Sequence, residues 1–190
     1  MNLPAIEDRE FENIDFTKNA LTRGNYENCT FANCNLSRVH LGNFGFTECK
    51  FMDCDLSMAH IKQATFNDVG FERCKMLGLR FDLCNDFLLS FQFKECTLSL
   101  SSFYGLTLKK SRFVKCKLLE VDFTETDLTS GAFDGCDLQR AVFDRSNLEK
   151  VDFRTAHNFS IDPERNKLRR AKFSRDGVVG LLEKYDIVVE

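Results

Sequence analysis

FKECT LSLSS FYGLT LKKSR FVKCK LLEVD FTETD LTSGA FDGCD LQRAV FDRSN LEKVD F is the run from residue 93 to 153, cut into fives. Every group starts with Phe or Leu, and the two alternate without error from Phe93, Leu98 and Phe103 to Phe143, Leu148 and Phe153. A step of five fits neither regular element. It carries a helix round by ~140° each time, so the large residues would cover every side. In a strand, an odd step sends alternate members to opposite faces. The pattern is satisfied if the backbone turns a corner every five residues and each large side chain points at a common axis. Four walls then make a coil of about twenty residues, two opposite walls lined by Phe and two by Leu.

The same period reaches back to the start. From Phe11 the slots read Phe11, Phe16, Leu21, Tyr26, Phe31, Leu36, Leu41, Phe46, Phe51, Leu56, Ile61, Phe66, Phe71, Met76 and Phe81, with Ile6 as a candidate first inward residue. At 82–92 the frame shifts. Asp86 falls where a large residue is due, and the spacing places the next one at Leu88, two residues late. A two-residue insertion in one corner accounts for this and puts Phe93 on the wall of Phe71. One wall then carries Phe11, Phe31, Phe51, Phe71, Phe93, Phe113, Phe133 and Phe153. At Asn158 a polar residue takes the slot, so the repeat is expected to end there, giving a domain over 1–158 and a tail over 159–190.

The nine cysteines are settled by position. Cys29, Cys34, Cys49, Cys54, Cys74, Cys84, Cys96, Cys116 and Cys136 all lie two residues before a slot, where Ala, Val, Ser and Gly stand elsewhere. That is the small inward residue beside each large one, and Cys there acts as a small hydrophobe. Structural thiols are expected, with no disulfide or metal framework.

Repetition at a short fixed period marks a solenoid. Cys54-Asp55-Leu56-Ser57, Val121-Asp122-Phe123-Thr124, Thr126-Asp127-Leu128-Thr129, Cys136-Asp137-Leu138, Ser146-Asn147-Leu148 and Val151-Asp152-Phe153-Arg154 match the consensus A(D/N)LXX. Over about residues 6–158 the chain resembles the pentapeptide-repeat proteins. The resemblance implies an all-β right-handed quadrilateral β-helix. The Asp or Asn before the large residue suits a corner, because its short polar side chain can bond turn backbone.

In the tail, Ser174 is placed to cap a helix with Val178, Leu181, Leu182 and Tyr185 at helical spacing, weakened by Gly177 and Gly180. Ile187-Val188-Val189 reads as a short strand. An open solenoid end must be covered. The tail either caps its own coil or, as the resemblance to Qnr-type and MfpA-type proteins implies, also makes a tail-to-tail homodimer through Val178, Leu181, Leu182, Tyr185, Ile187 and Val188.

No nucleotide loop, nucleophile motif or zinc signature stands out, and no cofactor is implied. His40 and His60 lie twenty apart and are expected to stack outside one wall, which is half a metal site with no further ligands. His157 has no evident partner. A filled solenoid has no cleft, so an enzyme is not expected. A net charge of −3 argues against direct nucleic-acid binding by bulk positive charge. No apolar run approaches a membrane span and no secretory signal is seen, which reads as a cytoplasmic protein without a membrane partner.

Function should then lie outside. The wall of Tyr26, Phe46 and Phe66 displays Glu27, Glu48 and Asp68, and its neighbour adds Glu10, Glu12, Asp53 and Glu72. The wall of Leu21, Leu41 and Ile61 carries Arg23, Lys62 and Arg80. In the second half Asp122, Glu125 and Asp144 continue an acidic strip, but on that formerly basic wall. Resemblance to the Qnr and MfpA families implies a DNA mimic that binds DNA gyrase or topoisomerase IV and lessens quinolone poisoning. The alternative is a pentapeptide-repeat scaffold for another protein, with no topoisomerase role.

Overall fold

In the computed structural model, which describes residues 3–185 and 187–188, the chain is a parallel β-solenoid with about twenty residues per coil. Two walls carry strands. One has four: Ala5–Glu7 (β1), Asn25–Glu27 (β3), Gly45–Thr47 (β5) and Thr65–Asn67 (β7). The other has seven: Glu10–Glu12 (β2), Thr30–Ala32 (β4), Lys50–Met52 (β6), Val69–Glu72 (β8), Phe91–Lys94 (β9), Arg112–Val114 (β10) and Ala132–Asp134 (β11). The remaining walls are held by single parallel bridges such as Asn35↔Asp55 and Ser102↔Asp122.

The corners explain the period. Two residues after most large side chains the backbone enters the left-handed region, and non-glycine residues such as Asn33, Glu48, Asp53 and Lys115 occupy it. Each such residue costs roughly 1–2 kcal/mol in isolation. A coil-to-coil hydrogen bond offsets the cost: Glu48 N–H donates to Asn67 C=O at 2.8 Å, and Asp53 N–H to Glu72 C=O at 3.0 Å. The acidic or amide residue before the large one closes the turn as expected. Asp55 Oδ1 accepts from Ser57 N–H at 2.9 Å, and Asp127 Oδ1 from Thr129 N–H at 3.0 Å.

Inside, the phenylalanines stack along the axis and meet edge to face across it. Phe31 and Phe51 are 4.6 Å apart and nearly parallel, whereas Phe103 and Phe113, on opposite walls, are 5.9 Å apart at 83°. Both geometries are favourable for aromatic quadrupoles. The cysteines are all free and buried. Cys34, Cys54, Cys74, Cys96, Cys116 and Cys136 form one column, because the bridge Lys75↔Thr97 carries the register across the joint. Their thiols donate to backbone carbonyls, Cys54 to Phe31 at 3.3 Å and Cys136 to Phe113 at 3.3 Å. Burial pushes the Cys49 thiol up to about 11.

The joint differs from expectation in one residue. Phe71 pairs with Phe93, with rings stacked at 5.4 Å, so the wall continues as the insertion requires. The inward residue is not Leu88, however. Leu88 is 61% exposed with φ +58°, Phe87 is 70% exposed, and Leu89 and Phe91 fill the space, Phe91 lying 5.6 Å from Phe66. The extra residues bulge outward between Asn85 and Ser90, whose Oγ accepts the Asp68 N–H at 2.7 Å and seals the corner.

The coil also runs past Asn158. Bridges Asn147↔Lys167 and Asp152↔Lys172 add a further turn, and Phe173 stacks on Phe153 at 5.3 Å. The frame is hidden there because Asn158 is exposed and Phe159, one residue late, turns inward 5.6 Å from Phe153, while the next small inward slot holds buried Asn166. Its Nδ2 donates to Phe143 C=O at 2.9 Å and its Oδ1 accepts from Ser146 N–H at 2.9 Å. The tail then forms 3-10 turns at Gly177–Leu181 and Glu183–Tyr185 in place of the expected α-helix. Gly180 lies so close to Phe159 that a Cβ would sit 2.2 Å from its carbonyl oxygen. Ile187 and Val188 join no ladder, and Val189 lies outside the described residues.

Candidate protein-binding surface

The corner between the two strand walls is a column of left-handed residues: Asp8, Asn28, Glu48 and Asp68. Side chains there project from the turn into solvent. Glu7 and Glu27 pair across β1 and β3, and Glu10 and Glu12 flank Phe11 on β2. Among the described residues none of Glu7, Asp8, Glu10, Glu12, Glu27, Glu48 and Asp68 joins an ion pair. Asn28 Nδ2 donates to Asp8 Oδ1 at 2.6 Å. The structure thus brings five of the expected acidic residues together on the first coils.

Asp53 and Glu72 do not belong with them. Arg73 forms a two-point contact with Asp53 at 2.8 and 2.9 Å and also reaches Glu72, which accepts from Lys94 at 3.0 Å. The Arg73 guanidinium holds the Asp53 carboxyl below its ordinary range, and Lys94 does the same for Glu72. Their charge is spent locally. Glu7 and Asp8 were missed because the clean frame starts at Phe11; Ile6, five residues earlier, is the signal that places them beside Glu27 and Asn28.

The carboxylates are spaced more sparsely than the phosphates of duplex DNA. Seven carboxylates on four coils of ~4.8 Å amount to roughly one per 3 Å of rod, against one per ~1.7 Å in duplex DNA. Arg9 and Lys50 lie on the same coils and dilute it. The acidic column is about as long as half a helical turn of DNA.

The second half is different. Glu125 accepts from Arg145 at 2.8 Å and from the Tyr104 hydroxyl at 3.0 Å, and Asp144 is bound by Arg145 and Arg165. The bridges Arg80↔Ser102 and Ser102↔Asp122 put this strip on the wall of His40 and His60. Those two imidazoles stack with centroids 4.4 Å apart. Among the described residues no three His, Cys, Asp or Glu side chains gather in metal-binding reach. Arg80 of the basic wall is paired with Asp82 at 2.5 Å.

At the tail, Leu181 and Leu182 are half-buried, and Leu181 packs on the core. Val178, Tyr185, Ile187 and Val188 are exposed, Val188 by 86%. Tyr185 is tied back through its hydroxyl to Glu164 at 3.1 Å. No helix among the described residues is long and apolar enough to cross a membrane.

No curated protein sequence matches this chain significantly. Among solved structures it is similar to two trypsin-treated variants of QnrB1, described as a plasmid-mediated fluoroquinolone resistance protein. The first has 18% identity and a TM-score of 0.68 with both chains fully covered. The second has 17% identity and a TM-score of 0.63, covering 98% of this chain and all of that one. These likenesses concern the fold. The model of the pentapeptide repeat region matches residues 44–113 and 87–173. With that match, the five-residue corners and the stacked Phe wall, the chain belongs to the pentapeptide-repeat family.

Proposed function

We propose that this protein is a non-enzymatic, DNA-mimicking ligand of a type II topoisomerase, DNA gyrase or topoisomerase IV, and that it modulates fluoroquinolone action. The observation that carries the reading is the unpaired carboxylate surface on the first coils. Carboxylates projecting from rigid corners compete for a basic DNA-binding groove without the ordering cost of a flexible acidic tail. The fold shared with a fluoroquinolone resistance protein supports the same reading. The tail supplies a homodimer, which would set two acidic ends at a fixed separation.

The test is a titration of the purified protein into gyrase and topoisomerase IV supercoiling or decatenation reactions with a fluoroquinolone, with DNA cleavage followed in parallel. The expected outcome is a dose-dependent change in drug-stabilised cleavage. The variant Glu10→Gln, Glu27→Gln, Glu48→Gln, Asp68→Asn should need about tenfold more protein, the loss of a few steered charges. No effect on either enzyme at any concentration ends this reading. A second reading, a scaffold for another protein, is favoured by one observation. The acidic strip of the second half lies on a different wall, and its Glu125 and Asp144 are bound by arginines, so among the described residues no DNA-length stripe forms.

A further inference from the structure

The outer face of the seven-stranded sheet has one gap. Its outward row reads Glu10, Thr30, Lys50, Gly70, Gln92, Arg112 and Ala132, one residue per coil. Gly70 is not among the positive-φ positions, and a Cβ there would meet nothing within 4 Å. The fold itself therefore does not call for glycine at this place. Glycine is the costlier choice in a strand interior, since it surrenders the most backbone freedom and packs no side chain. Where neither turn nor neighbour requires it, an unsubstituted strand backbone marks a place another group can approach closely.

The gap is a dent of about 360 Å³. Its floor is the bare peptide of β8 and its sides include Met52 and Val114. Lys50, Lys94 and Arg112 stand round it with one carboxylate, Glu72, so the rim carries three cations against one anion. Lys94 is 3.0 Å from Glu72 and Arg112 is 2.8 Å from Asp134, while Lys50 makes no ion pair among the described residues. The lysine stems add methylene surface below their charged heads.

We infer that this dent binds a planar apolar anion, a small ring system carrying a carboxylate or sulfonate. A bare inorganic anion would leave the apolar sides unused, and a neutral ring would leave the cations unused. The size is that of a one- or two-ring molecule at the lower end of small-molecule sites. The ring lies flat on the Gly70 peptide, and its acid group reaches the Lys50 ammonium, which needs to break no existing pair.

The test uses 8-anilino-1-naphthalenesulfonate as probe, titrated into the full chain with its fluorescence followed. Saturable binding is expected. Gly70→Val places a β-branched side chain on the floor, keeps or raises the melting temperature, and should weaken binding at least about tenfold. Should that variant melt early, Lys50→Gln with Arg112→Gln, two solvent-facing changes, should weaken binding by a similar factor with the fold intact. Absence of saturable binding by the natural chain overturns the inference. So does unchanged affinity in whichever of these variants keeps the native melting temperature. None of these readings involves a topoisomerase, so the outcome stands apart from the proposed function.

Discussion

The two halves of the rod share one core but differ in how their outer charges are paired, even though Asp53 and Glu72 before the joint are paired too. Beyond the joint, carboxylates find cations on the next coil: Arg140 with Glu120, Arg145 with Glu125, Arg112 with Asp134, Lys172 with Asp152. On the first coils, Glu7, Asp8, Glu10, Glu12, Glu27, Glu48 and Asp68 have no such partners among the described residues. Exposed pairs add little stability each, so the core does not depend on them. What the difference teaches is that the solenoid fixes where a charge stands and leaves its pairing free. A face that stays unpaired is the one available to a partner.

The comparison rests on a common core, and this can be broken most severely from inside. Phe51→Ala and Phe113→Ala, one on each side of the joint and both fully buried in the same stack, should each cost about 3–5 kcal/mol in denaturant unfolding. Two separate transitions, each responding to only one substitution, would show two cores. Next in size, Gly180→Ala drives a methyl into Phe159 and should lower stability by about 1–3 kcal/mol. Light scattering on a chain ending after Ser174 should then give a monomer that keeps the Phe173 stack; a persisting dimer would move the interface away from the tail.

Alkaline pH probes the thiols that both halves share. Cys49 is pushed to about 11 by burial, and Cys96 and Cys116 to about 12, chiefly by the neighbouring thiol one coil on. A raised folded-state value means the native chain keeps protons that the unfolded chain releases. Their contribution is complete below the unfolded thiol range near ~8.5 and fades as pH climbs toward these values. Melting temperature should fall progressively from pH 9 to 11, and the thiols should resist a disulfide reagent until the chain unfolds. Equal reactivity in native and denatured protein at pH 8 would contradict their burial. The smallest effects sharpen the contrast itself. Glu125→Gln should lower stability slightly, since it removes an exposed pair, whereas Glu48→Gln should be neutral or slightly stabilising. Added salt should narrow the gap between them.

Much of this was legible in the sequence because the repeat leaves little choice. Fifteen slots from Phe11 to Phe81, then thirteen from Phe93, fix the coil, and the cysteines fall two residues ahead of them. The misreadings share a cause. Spacing alone chose Leu88, but the insertion redistributes which side chain points inward, and Phe91 offers more apolar surface than Leu88. Asn158 signalled an end because a polar slot looks like the loss of a core, yet Phe159 one residue later fills it, and further on Asn166, a buried amide with three hydrogen bonds, holds the coil. Charge pairing was invisible because it depends on side-chain reach between coils. Arg73 stands twenty residues from Asp53, which spacing reveals, but its contact with Glu72 at the next position required the corner geometry.

The bulge at 86–90 has one more consequence. It absorbs two residues and leaves both stretches of rod facing the same compass points. Along this axis, residue count acts as an angle: twenty residues make a full revolution and five make a quarter. Removing one quintet between the joint and the tail would keep an apolar residue at every inward slot. It would also turn everything beyond the cut by about 90° relative to the first coils. The bearing of the tail against the acidic end is thus written in chain length modulo twenty, and an indel could re-aim one toward the other without altering a single side chain on either.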